Sequence, residues 1–533
     1  MITQSLRVLF AKKLVIFEIV IFLSVWVGLP EFGLINPLSI VFAADSRSES
    51  VTSAEVSSNN NEFNSNEEES FEFDEDWDDD FDEGAEGSSS PSDFTWRIEV
   101  AFENFINTRR ELHSQDAYKK DEISASLELR YGASDDYLFS LTDFSFFPTF
   151  INDTVGDDYS YSEKTKTYRN LRISSSSSEI IFREFYYNWS REKYRIRIGN
   201  QLYPWGTADF LNATAYFNPS DLRELLFKDE DKVKLGVPSL SGMFFFDGFT
   251  AEAVFVPVHT AEAFPITGDF WSVKMAEDSY PLIFGDSDPM EANSKNFGYG
   301  GRIASTYEGM DFSLSGYHGP DAEAVIVPAG TVLIENQTVS VLVQPSHFIV
   351  DYIGFDFAWT YEDFVFQAET AYSPNKSGFI KQDTDRPEDL TFPYDTKKTE
   401  YLAYSLGFNY FIPLQKLISG HAGESLFTVE WYQAQYFDDD INRPQITDFL
   451  TCRFQDTYFD DRVSLSLTSI FETRCGGVVV WPKVGYDFQN GFKVELGYVG
   501  IKGHGEGDYE KDSIFYYYKD NDLIMVNFLY AYP

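Results

Sequence analysis

The amino-acid sequence predicts an all-β fold: a transmembrane outer-membrane antiparallel β-barrel of about 12–18 strands, with long loops and one short helix in a loop. Three observations carry this prediction. Aromatic residues make up 17% of the 533 residues, with 51 Phe and 33 Tyr, although the mean hydropathy is only -0.28. Many segments alternate between apolar and polar residues, which is typical of β-strands with two different faces. The first residues have the pattern of an export signal.

Residues 1–43 are predicted to be a signal peptide. The positively charged start contains Arg7, Lys12 and Lys13. The apolar run LVIFEIVIFLSVWVG follows, and cleavage after Ala43 is expected. The alternative is an uncleaved anchor helix, but the run has about 15 residues where a bilayer span needs about 20, and Glu18 interrupts it. No other segment has the composition of a membrane helix.

Residues 44–93 form an acidic segment rich in Ser and Asn. It contains 18 Asp or Glu residues and a single basic residue, Arg47. Such a segment buries too little apolar surface to fold, so it is predicted to be a disordered periplasmic tail. The alternative is a docking segment for a basic periplasmic partner. The aromatic residues that favour docking are Phe71, Phe73, Trp77 and Phe81.

From residue 94 to residue 533 the chain alternates with period two. In LAYSLGFNY and IGFDFAWTY one face is apolar and aromatic, whereas the other is small, polar or charged. A soluble sandwich would turn the apolar face to a core, and a membrane barrel would turn it to lipid. Aromatic strand ends, export, and alternation of tight turns with long loops favour the barrel. Tight turns are predicted at Gly309, Asp363 and Asn490-Gly491, and long connections at 147–177, 202–247, 259–296, 318–344, 375–399 and 438–460.

The C-terminal sequence LIMVNFLYAYP places alternate apolar residues on one face and ends in aromatic residues. It resembles the C-terminal strand signal that barrel-assembly machinery recognises, although Pro533 follows the last aromatic residue. Expected partners are therefore this machinery and outer-membrane lipid. The expected location is the outer membrane of a Gram-negative-type bacterium, after signal-peptide cleavage.

The segment GNQLYPWGTADFLNATAYFNPSDLREL interrupts the alternation. It resembles a motif of a family of uncharacterised Gram-negative outer-membrane β-barrel proteins, a domain of unknown function with Trp-Gly followed by Asn-Pro-x-Asp-Leu-Arg. Pro204 departs from the family pattern. Candidate constriction or ligand contacts in this loop are Gln201, Trp205, Gly206, Asp209, Asn212, Asn218, Pro219, Asp221 and Arg223. The alternative is that these residues only hold the loop against the barrel wall.

Residue types in this segment predict a short helix. Asn218 suits the N-cap, Pro219 suits the first helical position, and Asp221 lies in the first turn, where the helix dipole favours an acid. A helix-bearing loop in such a barrel either folds inward as a plug or constriction, or caps the outside. The preceding strand KYRIRI places Arg195 and Arg197 on its polar face, so both are candidate lumen charges.

The net charge, the cysteines and the histidines reduce the number of functions that the sequence allows. The net charge is -45, which disfavours nucleic acid and anionic solutes as partners. Cys452 and Cys475 are the two cysteines; they either form a disulfide in an oxidising compartment or stay unpaired. The six histidines lie in no hydrolase or metalloprotease motif, so no catalytic residue, metal or cofactor is expected, and the protein is predicted not to be an enzyme.

Three functions remain open from the sequence. The first is a porin-like channel or transporter for small or amphipathic molecules, gated or constricted by the 202–247 loop. The second is a non-transporting structural or adhesive surface protein. The third follows from the family resemblance, which implies an outer-membrane partner of an inner-membrane exporter of lipid-like cargo.

Overall fold

The computed structural model describes the chain in segments that begin at residue 94. The described residues are 94–107, 119–146, 172–174, 178–224, 227, 230–264, 271, 282–285, 287, 289–334, 338–380, 382, 391–413, 425–441, 446–503, 513–519 and 521–532. The predicted signal peptide and acidic tail lie outside them.

Nearly all described secondary structure is β-strand. The strands are β1 (Phe94–Asn107), β2 (Lys119–Gly132), β3 (Asp136–Phe146), β4 (Arg172–Ser174), β5 (Ser178–Arg191), β6 (Tyr194–Gln201), β7 (Val237–Phe246), β8 (Phe249–Val256), β9 (Leu282–Phe284), β10 (Gly298–Tyr307), β11 (Met310–Pro320), β12 (Val325–Ile334), β13 (Thr338–Ser346), β14 (Ile349–Tyr361), β15 (Phe364–Phe379), β16 (Thr396–Ile412), β17 (Ser425–Tyr436), β18 (Ile446–Tyr458), β19 (Val463–Glu472), β20 (Val478–Asp487), β21 (Phe492–Lys502) and β22 (Leu523–Tyr532). A four-residue α-helix, α1, spans Glu230–Val233, and a 3-10 helix spans Phe515–Tyr518.

Eighteen of the described strands close into an antiparallel barrel, so the predicted fold class is confirmed at the upper limit of its strand range. Closure occurs because β1 pairs with β2 on one side and with β22 on the other. At this seam Trp96 stacks on Tyr532 with ring centroids 5.4 Å apart. Strand β4 is a short addition paired with β5, and β9, β12 and β13 form a separate three-stranded sheet.

The two faces of the barrel wall differ in the way that the alternation predicts. Ile303, Leu314 and Ile353 lie on the outer face of neighbouring strands and are each more than half exposed. Ser313 and Asp356, from the intervening positions, are buried on the lumen side. Apolar side chains outside and polar side chains inside are the arrangement expected of a wall that faces lipid. No helix in the described part of the chain is long and apolar enough to cross a membrane.

The connections also divide into two classes. Two-residue turns join β10 to β11 at Gly309 and β14 to β15 at Asp363, as predicted. The turn at Asn490-Gly491 lies at the predicted position but has four residues, 488–491, instead of two. The predicted long connection 438–460 is wrong, because Ile446–Tyr458 forms β18 between β17 and β19. The alternation there is weakened by polar residues on both faces. The predicted loop 202–247 is also too long, because Val237–Phe246 forms β7; the connection between β6 and β7 is residues 202–236, and it positions the candidate site.

Candidate functional site: a loop that crosses the lumen

We call residues 202–236 the lumen loop. One side chain, Asn218, joins the two ends of this loop, and we call this junction the base of the loop. Asn218 Oδ1 accepts a hydrogen bond from Tyr203 N at 2.7 Å, while its Nδ2 donates to Gln201 O at 3.1 Å and to Leu235 O at 2.8 Å. The same amide therefore contacts the beginning and the end of the loop. Because Asn218 is 3% exposed, these backbone groups have little access to water and depend on it.

The helix predicted to begin at Asn218 is wrong. Pro219 has no regular secondary structure, and Ser220 and Asp221 form isolated β-bridges with Lys234 and Ala263. The Asn218 side chain bridges the loop base instead of capping a helix, because three backbone groups compete for it. The short helix of this loop, α1, begins later in the chain, at Glu230.

Arg223 forms a buried ion-pair cluster beside this base. Its guanidinium lies 2.5 Å from Asp221 Oδ2 and 2.8 Å from Glu179 Oε2 of β5. Asp221 is fully buried and Glu179 nearly so. Burial alone would lower the pKa of Arg223, but the two carboxylates outweigh it and raise the pKa well above its usual value. Arg223 therefore holds the lumen loop to the barrel wall as a permanent cation.

Two glutamates of the wall hold the tip of the loop, residues 207–214. Glu369 of β15 accepts hydrogen bonds from the backbone N–H groups of Thr207, Ala208 and Thr214. Glu430 of β17 accepts from three more, those of residues 209, 210 and 211, at 2.7 to 3.1 Å. Carboxylates that each accept several N–H groups form stronger bonds than neutral acceptors. Six peptide N–H groups of the tip are thus satisfied by two side chains.

The tip reaches the opposite side of the barrel. Asp209 accepts a hydrogen bond from Asn409 Nδ2 of β16 at 2.8 Å, and the guanidinium of Arg453 on β18 lies 4.2 Å from the Phe210 ring. The loop starts at β6, the fifth strand of the barrel, and Arg453 lies on the fourteenth. In a barrel of eighteen strands these two positions are diametrically opposed, so the loop spans the lumen.

An aromatic cluster fills the space between tip and base. Trp205 is 2% exposed, its ring meets Phe217 edge-on at 4.5 Å, and its Nε1 donates to Glu252 Oε2 of β8 at 2.8 Å. Tyr216 stacks on Tyr352 of β14 at 5.0 Å. Aromatic pairs of this geometry add packing energy beyond the burial of their area. The cluster joins the loop to the inner faces of β7, β8, β11 and β14–β17.

Local polar contacts shape the turn after Trp205. Gly206 has a φ of +105°, and a Cβ there would lie 2.1 Å from Asn212 Nδ2. That amide donates to Trp205 O at 2.8 Å, while Asn212 Oδ1 accepts from Thr214 N. Glycine is thus required at position 206 by both the backbone angle and the close approach of Asn212.

Gln201, at the end of β6, donates to Ser239 O at 3.1 Å and accepts from Ser241 Oγ.

The second half of the loop turns to the other side of the lumen. Phe227 stacks on Trp271 and meets Trp481 of β20 edge-on. Lys232 of α1 lies 3.6 Å from Glu99 of β1. Together the two halves contact strands around most of the barrel circumference.

The predicted lumen charges line a small cavity between the loop and the wall. Arg197 donates to Asn188 Oδ1 at 3.0 Å and lies over the Tyr186 ring, and Arg195 contacts the Met243 sulfur at 3.5 Å. The rest of the lining includes Gln201, Tyr203, Trp205, Ser241 and Glu252.

Of the two alternatives that the sequence left open for Cys452 and Cys475, the disulfide is not formed. Cys452 is opposite Ser469 in the β18–β19 ladder, on the outer face of the wall. The three residues from Ser469 to the end of β19 add about 10 Å before the chain reaches Cys475. This separation exceeds the Cα distance that a disulfide spans.

Sequence reasoning missed the glutamates that hold the loop. Glu369, Glu430 and Glu252 are inward-facing acids in the middle of strands. An acid at such a position is a signal that could have been read, because an interior carboxylate needs donors. Which donors it meets depends on the closed barrel.

Comparisons with known proteins find matches of low sequence identity among solved structures. No family model matches the chain, and no curated protein matches it. OccAB1 of Acinetobacter baumannii is 8% identical, with 84% of this chain and 98% of that chain covered and a TM-score of 0.46. A BenF-like porin from Pseudomonas fluorescens is 9% identical over 83% and 98%, with a TM-score of 0.44. OmpT, an outer membrane protein of Vibrio cholerae, is 10% identical over 82% and 99%, with a TM-score of 0.37. The predicted relation to the uncharacterised barrel family stays a prediction.

Proposed function

We propose that this protein is an outer-membrane β-barrel that acts as a channel for small molecules, with the lumen loop as its constriction. The observation that carries this proposal is the anchoring of the loop tip to the opposite wall by Glu369 and Glu430. The apolar outer face of the wall supports a membrane location.

The anchoring supports a constriction because it fixes the loop in one place. A loose peptide inside a barrel would keep its N–H groups bonded to water and would move. Here Glu369 and Glu430 are 3% and 1% exposed, and they hold the tip roughly half-way along the strands. A solute that passes must therefore pass beside the tip, and the size of that gap sets the conductance.

The test is single-channel conductance in planar bilayers, with the unsubstituted protein compared with the double variant Glu369→Gln/Glu430→Gln. We expect the double variant to conduct more, with larger current fluctuations, because its tip loses the charge-assisted bonds. Glu308→Gln is the matched control, since Glu308 is an exposed glutamate in the β10–β11 turn. Its conductance is expected to equal that of the unsubstituted protein.

A further variant lacks residues 204–234 of the loop. It is expected to give the largest conductance of the set. If all variants fold, as judged by heat-modifiable migration and circular dichroism, and none conducts, the channel proposal fails. Binding of lipid-like molecules and of cells or surfaces would then test the two alternatives, an exporter partner and a structural or adhesive protein.

A further inference from the structure

Two buried histidines from different loops are in contact above the barrel wall. His259 follows β8 and belongs to the β8–β10 loop, residues 257–297. His347 belongs to the β11–β14 loop, residues 321–348. Their rings are 4.4 Å apart, and the two residues are 6% and 7% exposed. We call these two residues the histidine pair.

The hydrogen bonds assign one proton to each ring. Met290 N donates to His259 Nδ1 at 3.1 Å, so this nitrogen carries no proton. His347 Nδ1 donates to Asp321 O at 2.9 Å, and Ser287 Oγ lies 3.4 Å from its Nε2. A second proton on His259 would bind to Nδ1, and this nitrogen could then no longer accept the hydrogen bond from Met290 N. Two protonated rings would also place two like charges about 4 Å apart in a site with little water.

The segment that follows His259 is bonded to the base of the lumen loop. Thr260 Oγ1 donates to Gly236 O, the last residue of that loop, at 3.1 Å. Leu222 N donates to Ala263 O at 2.8 Å, and Ala263 N donates to Ser220 O at 3.1 Å. A displacement of residues 259–263 would therefore pull on the middle and on the end of the lumen loop.

Other charged groups face this junction from each neighbouring element. Glu262 Oε2 accepts from Ala324 N at 3.0 Å, close to Lys234 of the lumen loop. Asp321 and Glu323 both form ion pairs with the buried Lys376 of β15, at 2.9 and 2.8 Å. These two acids therefore already have a cationic partner.

We infer that the histidine pair is an acid-sensitive contact between the β8–β10 and β11–β14 loops, whose protonation displaces residues 259–263 from His347 and loosens the base of the lumen loop, while the pairing of β9 with β13 still joins the two loops. This inference goes beyond the proposed channel function, since the displacement requires no transport.

The pKa shifts set the direction and the pH range. Burial lowers the pKa of both histidines from 6.5, and His347 lowers that of His259 further. Contact through neutral histidines is thus fully stable above about pH 6.5 and weakens as the pH falls. Burial raises the pKa of Glu262 from 4.5 to about 8, so this carboxyl acts in the opposite sense between those values. Protonation of the histidines therefore opposes the contact below about pH 6.5, whereas proton uptake by Glu262 favours the contact as the pH falls from about 8.

The test is a distance measurement by electron spin resonance between labels on the two loops. Labels at Ala292→Cys and Thr331→Cys, both exposed, report the separation in a Cys452→Ser/Cys475→Ser background. In a Glu262→Gln background, which removes the opposing titration, the fraction of molecules with the longer distance is expected to rise as the pH falls from 6.5 to 4.5, by at most about tenfold per pH unit for each histidine that takes up a proton. His259→Gln and His347→Gln should each weaken this rise, because one of the two titrating rings is then absent.

The control is His318→Gln, because His318 is exposed on β11 and pairs with Asp351 away from the junction. Its pH dependence should equal that of the labelled Glu262→Gln protein. The inference is overturned if the labelled Glu262→Gln protein shows the same distances at pH 6.5 and 4.5, or if both histidine variants keep its pH dependence. Because no ion flow is needed, this experiment fails or succeeds independently of the conductance test.

Discussion

The base and the tip of the lumen loop are held by opposite strategies. At the base, Asn218 bonds to groups 15 to 17 residues away, and Arg223 bonds to Asp221 two residues away. At the tip, the partners Glu369 and Glu430 are 155 to 221 residues away. The base is thus shaped mainly by groups of the loop itself, with one ion pair from Arg223 to Glu179 of the wall, whereas the tip depends on wall side chains far along the chain. One loop therefore combines a base that is largely folded on itself with a docked tip.

The largest loss of unfolding free energy is expected from Arg223→Met, at the base of the lumen loop. This change leaves Asp221 and Glu179 as buried carboxylates without their cation, which costs about 3–5 kcal/mol of unfolding free energy. Urea unfolding of the lipid-embedded protein measures it. Arg191→Met is the control, because the Arg191–Asp136 pair is exposed and little change is expected. Equal losses of unfolding free energy in the two variants would show that the Arg223 ion pairs do not stabilise the base of the lumen loop.

At the tip, Glu430→Gln is expected to lower local stability by about 1.5–3 kcal/mol. The amide keeps one acceptor oxygen and loses the charge, so three N–H groups compete for it. Amide hydrogen exchange of residues 207–214 should accelerate about tenfold or more, while residues 218–223 stay protected. Acceleration of both segments would show that tip and base are not independent.

A smaller effect is expected from Gly206→Ala, between tip and base. The φ of +105° and the contact with Asn212 make a Cβ costly, by about 1–3 kcal/mol. Because Asn212 also bonds to Thr214, the strain should appear in the exchange of the tip first. Gly248→Ala in the β7–β8 turn is the comparison, since its φ is +89° but no atom lies within 4 Å of its Cβ. If the two variants lose the same free energy of unfolding, the cost comes from the backbone angle alone and not from the contact with Asn212.

The smallest effect is expected from Trp205→Phe, which keeps the aromatic packing and removes the Nε1 bond to Glu252. A loss of about 1 kcal/mol is expected, together with unchanged conductance. Unfolding and conductance of the same sample check both parts. Trp205→Ala is the contrasting variant, because it empties the aromatic cluster, and it should change both quantities.

The amino-acid sequence predicts the barrel wall better than it predicts the contacts of the lumen loop, and the reasons are physical. Period two assigns each strand residue to a face without knowledge of its neighbours, so it predicts Arg195 and Arg197 on the polar face, and both line the cavity beside the lumen loop. The N-cap rule failed at Asn218 because three backbone groups, distant along the chain, compete for its side chain. Glu369 and Glu430 show only as interior acids, because their partners are fixed by closure of the barrel. The separation of Cys452 from Cys475 likewise depends on strand register.

The loop that joins the fifth strand to the region of the fourteenth also has a mechanical consequence. A hollow cylinder under lateral pressure flattens along one diameter and widens along the perpendicular one. A polypeptide fixed at both ends of a diameter resists both deformations, since it can neither shorten without clashes nor lengthen without breaking the bonds to Glu430. The lumen loop is therefore a cross-brace that keeps the barrel round, and its removal should make the cross-section compliant along that axis.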